Sequence, residues 1–216
     1  MTEIYNPVQV GLRPMQARLT VIGFNKAIAS FQIVQFDRAA DGLSIPQIGH
    51  TVHVVADLQF FMALGLSFLA VVGLIMSSEF KANAACSRWS VVVGDLLMYL
   101  ALSQTLAGYF APLANRIEAT AATLREQALG FKLFQSASLV AGGGAWFLAT
   151  YIGPLASLVR SPFYRRTNIA LGVAYLWVLM MFCWLTAKTV RAAAVTGDPP
   201  GLIVSVLTEL AQPLRW

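Results

Sequence analysis

The sequence predicts an all-α membrane protein, a four-transmembrane-helix bundle with an amphipathic amino-terminal segment and a short carboxy-terminal surface helix. Three observations carry that expectation. First, 57% of the 216 residues are apolar and only 12% are charged, about half the charged share of a soluble domain. Second, the mean hydropathy of +0.66 would force a water-soluble fold of this length to expose large contiguous apolar patches. Third, four stretches without Asp, Glu, Lys or Arg, at residues 58–78, 96–115, 133–159 and 169–187, match the roughly 20 helical residues needed to cross a hydrocarbon core of about 30 Å. Leu, Val, Ala, Phe and Met occur on all faces of these stretches, which fits neither strand alternation nor a single amphipathic stripe. The chain divides into an interfacial segment at 1–49, a transmembrane domain at 50–191 and an amphipathic tail at 192–216.

The amino-terminal segment has no short apolar run of the kind a cleavable signal requires, and it carries Glu3, Arg13, Arg18, Lys26, Asp37, Arg38 and Asp41. Within 16–38 the apolar residues Leu19, Val21, Ile22, Phe24, Ile28, Phe31, Ile33, Val34 and Phe36 fit neither the helical nor the strand period cleanly. The cost of burying Lys26 favours an element lying on the membrane or contacting another subunit over a fifth span. Asp41-Gly42 and Pro46 mark a loop before the first span.

His50, His53 and Asp57 fall at i, i+3 and i+7, so a helix starting near Gly49 puts all three on one face. Such a trio can relay protons, respond to pH or ligate a haem or pigment. It also suits a membrane boundary, where an acid is favoured near the positive end of a helix. In the second span Asp95, Tyr99 and Ser103 recur at i, i+4 and i+8, with Gln104 beside them, as a candidate polar lining. Spans one and two run in opposite directions, so Asp57 and Asp95 are expected near opposite faces of the membrane and not as one carboxylate pair.

The connection at 116–132 spaces Ile117, Ala121, Leu124, Ala128 and Phe131 by alternating four and three residues, which predicts that the third helix begins well before the lipid. Inside that third span Ala137, Ala141, Ala145, Ala149 and Gly153 lie four apart, beside Gly142, Gly143 and Gly144. Small residues on one ridge allow close backbone approach in lipid, where no hydrophobic effect drives helices together. This edge is therefore expected at the bundle centre or at a subunit interface, with a kink at Gly153-Pro154. Span four holds Tyr175, Trp177 and Trp184 but no repeated basic residues, which excludes a voltage sensor. Beyond it, Asp198-Pro199-Pro200-Gly201 breaks the chain, and Leu202, Ile203, Val206, Leu207 and Leu210 recur at helical spacing. They form a surface helix with Trp216 as an interfacial anchor.

No H-E-x-x-H, G-x-S-x-G, Walker A or C-x-x-C pattern is present, so no catalytic residue or metal set is assigned and an enzyme is not favoured. Cys86 and Cys183 read as small apolar residues. The net charge of +5 is spread between spans and suits anionic headgroups, not nucleic acid. Partners are the bilayer and either further copies of the chain or other membrane subunits. Four crossings would place both ends of the chain on one face, with Arg38, Lys188 and Arg191 among the basic residues there. The positive-inside tendency makes that face cytoplasmic, in the inner membrane of a cell. Three functions fit: an oligomeric channel or transport component, a noncatalytic subunit or assembly factor of a larger membrane complex, or a carrier of haem or pigment on His50 or His53.

Overall fold

A computed structural model of the chain describes residues 12–40, 49–78, 89–123, 128–161, 163–193 and 201–215. It is helical throughout, with no strand among the described residues. Among those residues seven α-helices follow in order: α1 (Leu12–Ala40), α2 (Gly49–Ser78), α3 (Ser90–Thr123), α4 (Ala128–Phe147), α5 (Gly153–Val159), α6 (Arg165–Ala193) and α7 (Leu202–Leu210). Four stretches are long and apolar enough to span a membrane, Val55–Ser77, Ser90–Phe110, Gln135–Val159 and Arg165–Ala192. The third is compound: α4 passes through a single π-helical turn, Leu148–Ile152, directly into α5.

Pairwise contacts set the directions of the helices. Gly73 of α2 faces Gly94 of α3, and Phe60 lies on Gly108, so these two helices are antiparallel. Phe110 lies on Gly142 and Tyr99 on Gly153, which makes the third span antiparallel to α3. Along α1, Ile22 packs in a cluster with Ala70 and Leu74, and Ala29 in one with Ala56 and Phe60, so α1 is antiparallel to α2. It therefore runs parallel to α3, and residues 27–32 of α1 lie across an open groove from Thr105, Leu106 and Tyr109.

α3 is the hub of the bundle. Of its span 67% is buried, against 22% for the span on α6. The hub can be contacted on so many sides because glycine replaces side chains where neighbours approach. A Cβ on Gly94 would stand 2.8 Å from the Leu74 side chain, a distance that real Cβ atoms do not adopt. Apolar side chains from three helices fill the centre: Leu66 of α2, Leu96, Leu100 and Ala101 of α3, and Tyr175, Leu179 and Cys183 of α6.

α7 packs on this centre through Val206 and Leu210. The Tyr151 hydroxyl donates to the Leu210 carbonyl at 2.6 Å, and Gln212 Nε2 donates to the buried Glu209 carboxylate at 2.6 Å. Pro213 lies against Gly143. The carboxy-terminal helix thus fits between α4 and α6, with its end held by the Tyr151 hydroxyl.

The helix of the third span begins before its apolar stretch, as the spacing at 116–132 predicts: α4 starts at Ala128 and the span at Gln135. Ile117 and Ala121 belong to α3, which runs to Thr123, and Ala128 and Phe131 to α4, while Leu124 lies outside the described residues.

The small-residue edge of the third span also divides. Ala137 and Ala141 are exposed, Ala145 and Gly153 half-buried, and Ala149 buried. Close approach to the bundle runs instead through Gly142, Gly143, Trp146 and Gly153. Four residues overshoot a 3.6-residue turn by about 40°, so these positions wind around the helix, and Ala137 and Ala141 already face out before the π turn at Leu148–Ile152 is reached. The Gly153 amide donates to Leu148, five residues back, and the extra residue rotates everything beyond it relative to α4. Pro154 follows and has no amide to give Thr150, whose carbonyl accepts the Tyr175 hydroxyl instead at 2.7 Å.

The packing at these glycines is directly testable. Gly142→Ala and Gly153→Ala drive a methyl group into the rings of Phe110 and Tyr99 and should each destabilise the protein by about 1–3 kcal/mol. A methyl group on Gly144 would meet nothing within 4 Å, so Gly144→Ala should be neutral or stabilising by up to about 1 kcal/mol through helix propensity. Thermal or denaturant unfolding in detergent distinguishes the three variants.

Candidate functional site: an ion pair inside the bundle

The second turn of α3 carries Asp95, a buried acid within a membrane-spanning segment. A carboxylate there is costly unless a charge and hydrogen bonds compensate it. Both are present. Arg18 of α1 forms a two-pronged contact, with Nη2 donating to Oδ2 at 2.8 Å and Nε facing Oδ1. The Ser157 hydroxyl of α5 donates to Oδ2 at 3.2 Å. Side-chain exposure is 25% for Arg18 and 9% for Asp95, so this is a mostly desolvated pair and not a surface bridge worth about 0–1 kcal/mol. The planar guanidinium suits the two-pronged geometry better than an ammonium would.

Three chain segments far apart in sequence meet at this point because of their register. One turn further along α3, the Tyr99 ring covers Gly153, so glycine at that position brings α5 near enough for Ser157 to reach the carboxylate. On the opposite side, parallel α1 brings Arg18 alongside Asp95, as it brings Ile28 alongside Thr105.

The other residues singled out from the sequence are distributed as follows. Ser103 is fully buried and donates back to the Leu100 carbonyl at 2.8 Å. Gln104 is buried, with no hydrogen-bond partner at Oε1. Asp57 lies on α2 and is half-buried. By the α2–α3 register it stands abreast of the end of the second span, about 22 Å from Asp95 at 1.5 Å per residue, so the two acids do not share a site. His50 and His53 belong to the first turns of α2, and their side chains lie outside the described residues. Among the described residues no three His, Cys, Asp or Glu side chains gather where a metal ion could sit. Cys183 is a buried free thiol.

Sequence reasoning identified Asp95 and Tyr99 but missed Arg18 and Ser157. One signal was available: an acid inside a span calls for a countercharge, and Arg18 starts the one flanking segment rich enough in apolar residues to accompany a span.

Chemically, the arrangement is a carboxylate held by a guanidinium and one hydroxyl, which joins α1, α3 and α5 at one point. Comparison with known protein families, with characterised proteins and with solved structures finds no match.

Coupling across the pair is measurable. Asp95→Ala leaves Arg18 desolvated and unpaired and should cost about 3–5 kcal/mol. The double variant Arg18→Met with Asp95→Leu should recover most of that loss, and a double-mutant cycle on unfolding in detergent reads the difference.

Proposed function

We propose that this chain is a transport component of a cell's inner (cytoplasmic) membrane, working through the Arg18–Asp95 pair. The observation that carries the reading is that pair itself: a two-pronged, mostly desolvated ion pair with a further hydroxyl donor, whose acid lies within a membrane-spanning stretch. A membrane protein that needed only to hold its shape could pack apolar side chains there at no electrostatic cost, so ionisable groups at membrane depth point to ion or proton pathways. The bundle is tightly packed around α3, which favours a carrier-like exchange at Asp95 over an open pore. In that cycle a proton or a small monovalent cation displaces Arg18 from the carboxylate, and Arg18 displaces it again. The polar line of Tyr99, Ser103 and Gln104, with His50, His53 and Asp57 toward the other end, is the proposed continuation of the pathway.

Reconstitution tests this. In liposomes with an imposed pH or potassium gradient, the wild-type protein should dissipate the gradient faster than empty vesicles. Asp95→Asn and Arg18→Gln should each slow that flux about tenfold. Wild-type vesicles no leakier than empty ones, or Asp95→Asn as fast as wild type, would sink the proposal.

A second reading has its own support. The flank of α4 formed by Ala137, Ala141 and Gly144 is exposed, and a side chain at Gly144 would find open space for 4 Å around its Cβ. A ridge of small residues left open in this way suits a helix from another membrane subunit. If that is its use, Gly144→Leu should shift the mass of the gently solubilised particle to a single chain while leaving its unfolding midpoint near that of the wild type.

A further inference from the structure

By composition alone α1 is not a membrane span, since Arg18, Asn25 and Lys26 interrupt it. Its position and the distribution of its side chains point the other way. From Arg18 to Gln32 the helix runs abreast of two spans. It is antiparallel to Val55–Ser77 through Ile22 on Ala70 and Leu74 and through Ala29 on Ala56 and Phe60. It is parallel to Ser90–Phe110 from the Arg18–Asp95 contact to the groove beside Tyr109. That stretch is about 22 Å long, most of a hydrocarbon core of about 30 Å.

α1 leaves large apolar side chains uncovered: Phe24 is 68% and Phe31 61% exposed, and Leu19, Val21 and Ile28 are exposed as well, beside Gln16, Thr20 and Ser30, while its inner side holds the buried Asn25 between Ile22 and Ala29. The polar side chains that interrupt the helix each have a partner. Arg18 holds Asp95, and Asn25 Nδ2 donates to the Ser67 hydroxyl at 3.0 Å. The Lys26 ammonium sits 3.6 Å from the centre of the Phe68 ring, a contact that gains strength when desolvated. The outer surface of α1 continues that of α2, where Phe61, Phe68, Leu69 and Val72 are exposed.

We propose that α1 is a fifth transmembrane helix, whose Phe24, Ile28 and Phe31 face contacts lipid acyl chains. The amino-terminal end of α1 then lies at the membrane face of the α5–α6 connection, opposite the carboxy-terminal end of α6. Five crossings reverse the even-number topology expected from the sequence. They also move Arg13 and Arg18 to the face of Arg160, Arg165 and Arg166, which removes the surplus of basic residues that had oriented the chain. The inference is independent of any transport activity.

Single cysteines in the full-length protein test it, in proteoliposomes of phosphatidylcholine and phosphatidylglycerol, with Cys86→Ser as background and the buried Cys183 retained. Leu12→Cys, Tyr164→Cys and Ala192→Cys mark the start of α1, the α5–α6 connection and the end of α6. In molecules of one orientation, a membrane-impermeant maleimide should label Leu12→Cys and Tyr164→Cys together, and Ala192→Cys at least about tenfold more slowly until the vesicles are opened. Leu12→Cys labelling with Ala192→Cys instead overturns the proposal. A nitroxide on Phe24→Cys gives a second readout: fast relaxation by oxygen with protection from an aqueous nickel chelate is expected, and the reverse order places α1 at the water interface and overturns it.

Discussion

The cost of taking polar groups out of water governs how this bundle is assembled. In a medium without water each charge and each unpaired amide must be satisfied by the protein itself, and here that requirement decides which helices touch. Asp95 needs a cation, and Arg18 supplies it only if α1 lies along α3. The carboxylate needs a further donor, and Ser157 supplies it only if α5 comes close. Thr150 loses its helical amide partner to Pro154 and takes the Tyr175 hydroxyl, which ties α6 to the third span. Each polar repair is also a positional restraint between elements distant in sequence.

Close approach is the second requirement, met by glycine and not by a greasy core alone. Gly73 and Gly94 let α2 and α3 lie nearly backbone to backbone. Gly142 and Gly153 each accept an aromatic ring from α3, so the third span is held by rings seated where side chains are missing. Without a hydrophobic effect between helices in lipid, such dispersion contacts are the main attraction left to a bundle. The π turn at Leu148–Ile152 lies between Gly142 and Gly153, eleven residues apart, and both glycines still face α3.

The carboxy-terminal segment follows the same logic. α6 is the least buried of the spans, and α7 adds Val206 and Leu210 to its inner side while Pro213 closes on Gly143. Glu209 is tolerated in this place because Gln212 reaches back to it and the helix end is held by Tyr151. At the outer edge, the Lys188 ammonium stands 5.7 Å from the centre of the Trp184 ring, a pairing suited to the lipid–water boundary.

How much is legible from residue order differs between levels of structure. Composition and spacing suffice for the class of solvent, the all-helical build and the four long apolar spans, because twenty apolar residues without a charge have few other stable fates. They also locate Asp95 and Tyr99 on one helix face, since a 3.6-residue period is a local property. Which basic residue neutralises Asp95 is settled only in three dimensions, because the charges lie 77 positions apart and pair through a helix register that no local pattern encodes. The small-residue ridge winds about 40° around the helix with each four-residue step, and which part of it meets the bundle is decided only in three dimensions, where Phe110 and Tyr99 of α3 seat on Gly142 and Gly153 while Ala137 and Ala141 stay exposed.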